Sequence, residues 1–518
     1  MKKILYYVLS ILAIGTFAAC EDFLTVESPD KLTSEKFWRN QSDAEQGLSA
    51  AYSKLEHFIE PWEFSEVRWP VEAYREDMIT PGKDAMNYLN WVELSTFTYT
   101  NGNSQINLYW KNIYRGINYA NQVIEKTPGI TMDTEYRAQI TNEAYFLRAY
   151  YHMKLLLNWE QIIIRDKYLV TVSSSELGEP LSTREAAWDF IISDLIKAQK
   201  LPATLKAEQL GRATAGAANA YLGFAYLTRA YETPAKKDEY LKAALTALNE
   251  VKGYSLEKDF QGMFNGRNQN SKESVFELQC TMNSADGANY KTQMHKWLGA
   301  SELGGWDEIL PSDLLVNEFK KEGEIATTGR YDSRLYHTLF YQCDYFNDEN
   351  KRVYGYKYDE LFGYNKKVGE DANGKPIYKW TPYDRPVFRK LLPATLSEMK
   401  ASRVGYNIPL MRYSNVLLMK AEVLNEQGHP ELAIPLINDV RNVHGDMPAM
   451  TGSSQTEVKA QIEHERILEF PLENYRFYDL RRWGKAQEAL TAAGRRFDAA
   501  KNSFYPIPLT ELNSNDKL

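Results

Sequence analysis

Residues 211–231 read GRATAGAANAYLGFAYLTRAY, and residues 237–252 read KDEYLKAALTALNEVK. Both stretches have helical periodicity and together form a helix pair. Seven alanines and three glycines fill half of Gly211–Ala230. So slim a helix lets its neighbours approach closely, which is a packing role and not a chemical one. Upstream lies another pair, Thr134–Trp159 and Thr183–Lys200; Ser182 or Thr183 opens the second helix and Pro202 stops it. The first pair is split. Ser42–Ile59 places Ala44, Leu48, Ala51, Tyr52 and Leu55 at helical spacing, and its partner Ile106–Lys126 carries Trp110, Ile113, Ile117, Ala120 and Ile124 on one stripe before Pro128-Gly129 ends it. Downstream, Met411–Gln427 is closed by Gly428, and a further helix begins near Pro430. Pro435 cannot donate a backbone hydrogen bond, so a kink or a later helix start is expected there.

Four helix-turn-helix units, near residues 42–126, 134–200, 211–252 and 411–443, predict a mostly α fold. The expected architecture is a TPR-like helical-repeat scaffold with large loop-rich inserts and a few short strands. The inserts are residues 61–105 and 253–409. The second is rich in Gly, Asn, Asp, Tyr and Pro and contains turn signals such as Asn373-Gly374. Loop-dominated segments on a rigid scaffold are where binding is usually placed.

With 44% hydrophobic and 25% charged positions, the 518-residue chain can bury a sizeable core. A net charge of −8 argues against retention on nucleic acid by phosphate neutralisation. The 35 tyrosines and 11 tryptophans are a generous supply of flat faces with polar handles.

Residues 1–20 read MKKILYYVLSILAIGTFAAC: two lysines, an uncharged run from Ile4 to Phe17, then Ala18-Ala19-Cys20. The run is shorter than the roughly 20 residues of a spanning helix, so it reads as a secretory signal, residues 1–19. Ala-Ala-Cys resembles a bacterial lipobox, with Phe17 where leucine is usual; Cys20 would then receive lipid and begin the mature chain. Residues 20–41 form an anchor and tether, and residues 42–518 form one body. Of the other cysteines, Cys280 and Cys343 either pair or stay reduced. The alternation in Ser274–Cys280 puts Phe276, Leu278 and Cys280 on one strand face, which favours a buried thiol.

No enzyme signature is present. The chain has no phosphate loop, nucleophile elbow, zinc helix or CxxC pair. His429, His444 and His464 fit no metal-ligand spacing and read as exposed or capping. The run Asp344–Asn350 offers oxygens to calcium but lacks the EF-hand glycine, so a solvated loop is favoured. No cofactor or metal is expected. Glu465–Phe470 and Tyr475–Gly484 alternate arginines with acids and aromatics. The pattern suits buried bidentate pairs and stacks better than an anion site.

These residues carry a family likeness. Cys20-Glu21-Asp22-Phe23-Leu24, Trp110-x-x-x-Tyr114 with Ala120-Asn121, Glu143–Ala149, Gly211-Arg212-Ala213-Thr214, Arg412–Glu422, Glu465–Gly484 and Tyr505-Pro506-Ile507-Pro508 together resemble the SusD/RagB family of outer-membrane nutrient-binding lipoproteins of Bacteroidetes. The resemblance implies a SusD-like body, a lipid anchor at Cys20, exposure on the cell exterior, a SusC-like TonB-dependent transporter as partner and no catalysis. Glu21 and Asp22 satisfy the group's surface-export pattern. Ligand residues vary within the family and have to be argued physically.

Sugar rings present apolar C–H faces with hydroxyls at the edge, so a binder wants aromatic platforms beside polar groups. One candidate set is Trp69, Tyr74, Arg75, Asp77, Tyr88, Asn90 and Trp91; the other is Tyr290, Trp297, Tyr341 and Tyr345. Trp306 reads as family framework. Two functions follow: capture of oligosaccharides for import, or, as on the RagB side of the family, capture of oligopeptides, which would want a capacious cavity.

Overall fold

The computed structural model describes residues 37–55, 68–170, 178–282 and 291–518. The expected signal, Cys20, most of the tether, Tyr290 and the end of the first expected helix lie outside the described residues, as does the side chain of Trp69.

Polar caps set the helix starts. Helix α1 (Gln41–Tyr52) follows Asn40, whose side chain accepts from the Asp43 N–H. The first insert then folds as α2 (Arg68–Ala73), β1 (Ile79–Pro81) and α3 (Leu89–Thr96). Asn103, Asp133, Thr183 and Thr214 cap α4 (Ser104–Lys126), α5 (Thr134–Asn158), α6 (Arg184–Ala198) and α7 (Ala215–Glu232), each through a side-chain oxygen. Helix α8 is Lys237–Asn249. Thr214 explains why α7 starts four residues later than its alanine-rich pattern: the cap must be extended, and it is.

The large insert contains β2 (Ser274–Leu278), α9 (Met294–Leu298), β3 (Ile309–Pro311), α10 (Asp313–Lys320), α11 (Ser333–Thr338), β4 (Leu339–Phe340), the hairpin β5 (Gly363–Glu370) and β6 (Pro376–Pro382), β7 (Val387–Phe388) and β8 (Ile408–Arg412). Helices α12 (Tyr413–Glu426), α13 (Pro430–Gly445), α14 (Gln455–Glu469) and α15 (Arg476–Arg482) follow. Consecutive helices pack in a chain: α1 on α4, α4 on α5, α5 on α6, α6 on α7, α7 on α8, α8 on α12, and α12 on α13 and α14. The glycines of the opening stretch permit this approach, since a Cβ on Gly223 would come 2.5 Å from the Leu248 side chain.

All four sheets among the described residues are antiparallel strand pairs, β1–β3, β2–β8, β4–β7 and β5–β6. The first joins the two inserts, with Ile79 opposite Pro311. The hairpin turns at the Asn373-Gly374 signal, where Gly374 takes φ +77.

Several expectations need correction. Met411 does not open a helix, because residues 408–412 pair with β2 and α12 starts at Tyr413. Helix α13 begins at Pro430, where no N–H is needed, and runs through Pro435 without a later start. Strand β2 is buried on both faces; Cys280 lies beyond its end, half-buried, and no disulfide joins Cys280 to Cys343. His444 and His464 are buried, not exposed, each between two carboxylates.

Candidate functional site

Helix α3 begins directly after Tyr88, in extended backbone with no side-chain cap, and this places Tyr88 and Trp91 ring to ring, their centroids 5.0 Å apart. Trp91 then stacks on Trp297 of α9 at 4.7 Å and 28° between planes, and the Tyr74 ring stands 6.1 Å from that of Trp91. One aromatic residue of the second candidate set, Trp297, therefore joins three of the first, with Trp91 as its direct contact. Only Tyr88 reaches the surface, at 39% exposure, with Met86 and Leu89 beside it.

The buried members are not platforms. Tyr74, Trp91 and Trp297 are core residues, and the Tyr74 hydroxyl donates to the Glu308 carbonyl at 2.7 Å. Arg75 is sandwiched between the rings of Phe477 and Tyr505 and donates to Asn158 and to the carbonyls of Asn502 and Ser503. Asp77 accepts two hydrogen bonds of 2.8 Å from Arg476. Both are buried clamps between the first insert and the C-terminal block. Asn90 is half-buried and donates to Ser104 at the start of α4. In the second set Tyr341 is buried beneath Lys320, 4.8 Å from its ring, so it too is a core residue. Tyr345 is half-buried and stacks on Tyr336 at 4.2 Å, with Arg330 5.1 Å over its ring.

Sequence reasoning missed Glu308. Its carboxyl is buried; burial first, then the neighbouring Asp84 and Asp307, push its pKa up to about 8. One carboxyl oxygen has no hydrogen-bond partner among the described residues, and the same group acts electrostatically on Tyr88. No spacing rule marks a lone glutamate, so nothing in the sequence could have singled it out. Exposed aromatics on the β5–β6 hairpin, Tyr364, Tyr378 and Trp380, were also missed.

Two clusters have metal-ligand geometry, Glu273–His444–Glu469 and Glu322–His464–Glu465. Their donors are already engaged. His444 bonds Glu469 at 2.9 Å and Glu273 at 3.0 Å through its two ring nitrogens, while Arg412 bonds both carboxylates. Burial works against charge on His444, but Glu469 and Glu273 outweigh it and raise its pKa to about 9. These are buried ion-pair networks. The C-terminal block behaves likewise: Arg466 pairs with Asp479 at 2.7 Å, and Arg482 pairs with Glu422 and Asp479.

A cleft of about 1230 Å³ opens elsewhere, between α1, α5 and the segment 200–212. None of the described candidate residues lines it. Its rings are engaged: the Tyr52 hydroxyl donates to Glu143, and Arg212 lies 5.6 Å over Tyr136. It offers volume without a flat face.

In this fold a helical scaffold carries inserts that converge on a surface aromatic. Residues 272–518 match the model described as the SusD family, and residues 22–227 match one described as starch-binding associating with outer membrane. The chain belongs to the SusD/RagB family. SusD-like protein P38 of Formosa agariphila is 25% identical over 522 residues, 94% of this chain and 93% of its own. In fold, the chain is similar to a SusD superfamily protein from Bacteroides vulgatus, with TM-score 0.75, 23% identity and coverage of 92% and 98% of the two chains. It is also similar to surface glycan-binding protein A from Bacteroides thetaiotaomicron, solved with laminarihexaose, with TM-score 0.70, 19% identity and coverage of 92% and 98%.

Proposed function

We propose that this protein is a non-catalytic glycan-binding lipoprotein of the outer membrane, anchored through lipid on Cys20 and facing the cell exterior. It captures oligosaccharides and delivers them to a SusC-like TonB-dependent transporter. The observation that carries the reading is Tyr88: a ring exposed on one side and held from below by the Trp91–Trp297 stack. A pre-positioned ring is what the C–H face of a sugar needs. Glu308, whose pKa burial and the neighbouring Asp84 and Asp307 push up to about 8, lies within electrostatic reach of Tyr88. The family's association with the outer membrane and the laminarihexaose complex of one relative in fold support the assignment.

Titration of Tyr88→Ala against a panel of oligosaccharides including laminarihexaose tests the site. A stacked anchor is worth about 2 kcal/mol, so affinity should fall roughly thirtyfold; wild-type affinity in the variant would displace the site. The bound polysaccharide should gain no new reducing ends on incubation. Cys20→Ala should leave the outer-membrane fraction of cells lacking the partner barrel, and its persistence there would refute the anchor. A second reading, oligopeptide capture, draws on the 1230 Å³ cleft. Peptide binding that is lost on filling the cleft with Asn142→Trp and is indifferent to Tyr88→Ala would favour it.

A further inference from the structure

Every residue from Tyr364 to Trp380 is exposed, so the β5–β6 hairpin stands clear of the body on both faces. A lone two-stranded ribbon is marginal in water, and this one spends its surface on large apolar side chains. The register divides them. Asn365 lies opposite Trp380 and Lys367 opposite Tyr378, which places these four on one face. Tyr364 opposite Thr381 and Lys366 opposite Lys379 lie on the other.

Trp380 is fixed. Its indole N–H donates to the Asp359 carbonyl at 2.7 Å, and its ring lies against Gly363, where a Cβ would come within 2.6 Å. The polar handle is therefore consumed while 41% of the residue remains exposed. What it has left to offer is a flat carbon face. Tyr378, two residues along and 59% exposed, adds a second ring about 7 Å away on the same face.

We propose that this face is a second carbohydrate contact, in which Tyr378 and Trp380 stack against successive rings of a polysaccharide and the Asn365 amide meets their hydroxyls. It rests on the glycan reading above and extends it from oligosaccharide capture to polymer capture. The base of the hairpin supports the link. The Tyr383 hydroxyl donates to Glu302, and Arg385 pairs with Glu302 and, at 3.1 Å, with Asp307, in the segment that runs from Trp297 to Glu308. The opposite face is mixed, carrying the exposed Tyr364 and Ile377 as well as two lysines. Lys366 and Lys379 oppose each other there with no ion-pair partner among the described residues, an arrangement that favours a wet surface. A glycan takes one face and leaves the other in water.

The test is affinity electrophoresis of the full chain in gels containing laminarin, starch or xylan, with calorimetric titration of laminarihexaose alongside. Variants are Tyr378→Ala, Trp380→Ala, the double variant, Asn365→Ala and Tyr88→Ala, each with its melting temperature checked. The double variant should lose at least tenfold in affinity for the polymer that retards the wild type and keep its affinity for the hexasaccharide, whereas Tyr88→Ala weakens both. Unchanged retardation of the double variant overturns the hairpin contact and leaves the Tyr88 site standing. Loss of retardation in the double variant with none in Tyr88→Ala upholds the hairpin and overturns the other. Failure of every polysaccharide to retard the wild type overturns both. Unchanged glycan binding with lost co-purification of the barrel assigns the hairpin to a protein contact and overturns the proposal.

Discussion

Tyr88 and Trp91 touch, and they should respond oppositely to the same truncation. Trp91→Ala removes a buried ring between Tyr74 and Trp297 and should cost about 3–5 kcal/mol of stability, read by chemical denaturation. Tyr88→Ala should leave the melting curve close to wild type and act on affinity alone. The sequence could not separate the two, since a tryptophan near an arginine and an aspartate has the same composition whether it faces sugar or core. The ambiguity was sharpest at Arg75 and Asp77: buried pairing was anticipated for the arginines near the C-terminus, and the same physics claims these two, through Phe477, Tyr505 and Arg476. A pH effect also belongs at this scale. Burial opposes the charge on His464, but Glu318 and Glu322 raise its pKa to about 9; His464 and Lys321 overcome burial of Glu318 and hold it at about 2. The histidine's contribution is full below its unfolded value near 6.5 and lost as pH rises through about 9. The glutamate's is full above about 4.5 and lost as pH falls through about 2. His464→Gln should therefore lie furthest below wild type in stability between about pH 5 and 6.5 and converge with it above about pH 9, measured by denaturation across that range.

Helix existence was legible because apolar stripes and caps are local. The expected starts at Ile106, Thr134 and Thr183 lie within a residue or two of the observed ones. What failed was non-local. Met411 reads as the opening of a helix until residues 408–412 pair with β2, and β1 meets β3 across more than two hundred residues. The hairpin was signalled by its turn, but the exposure of both its faces was not, because alternation says which side chains share a face and nothing about what covers it. The small-residue content of α7 makes a sharp test. Gly223→Ala drives a methyl group into Leu248 and should destabilise by about 1–3 kcal/mol. Adding Leu248→Ala should cost less than the sum of the two single changes, as a shared contact requires; strict additivity would show that α7 and α8 do not meet there.

Across the whole molecule, buried charge does what a disulfide framework does elsewhere. Glu469 of α14 accepts from Arg334 of α11, Arg412 of β8 and His444 of α13, so one carboxylate joins four elements. Glu469→Gln leaves those cations undercompensated in the interior and should cost about 3–5 kcal/mol. Since the site is dry, the loss should persist at about 1 M salt, where screening over roughly 3 Å would erase a surface pair; a loss that disappears at high salt would contradict the burial. The last residues of the chain are bound just as firmly to the first helices. The Tyr505 N–H bonds the Asn158 carbonyl, the Leu509 N–H bonds that of Asn101, and Arg476 grips Asp77 across 399 residues. A ribosome that has made α1 through α8 has therefore not made a domain, because the surfaces around α2 and the end of α5 wait for residues not yet synthesised. Folding of so non-local a chain is slow and late. For the exported lipoprotein proposed above, that delay is an advantage: the nascent chain stays open by topology alone and closes only when its final segment emerges on the far side.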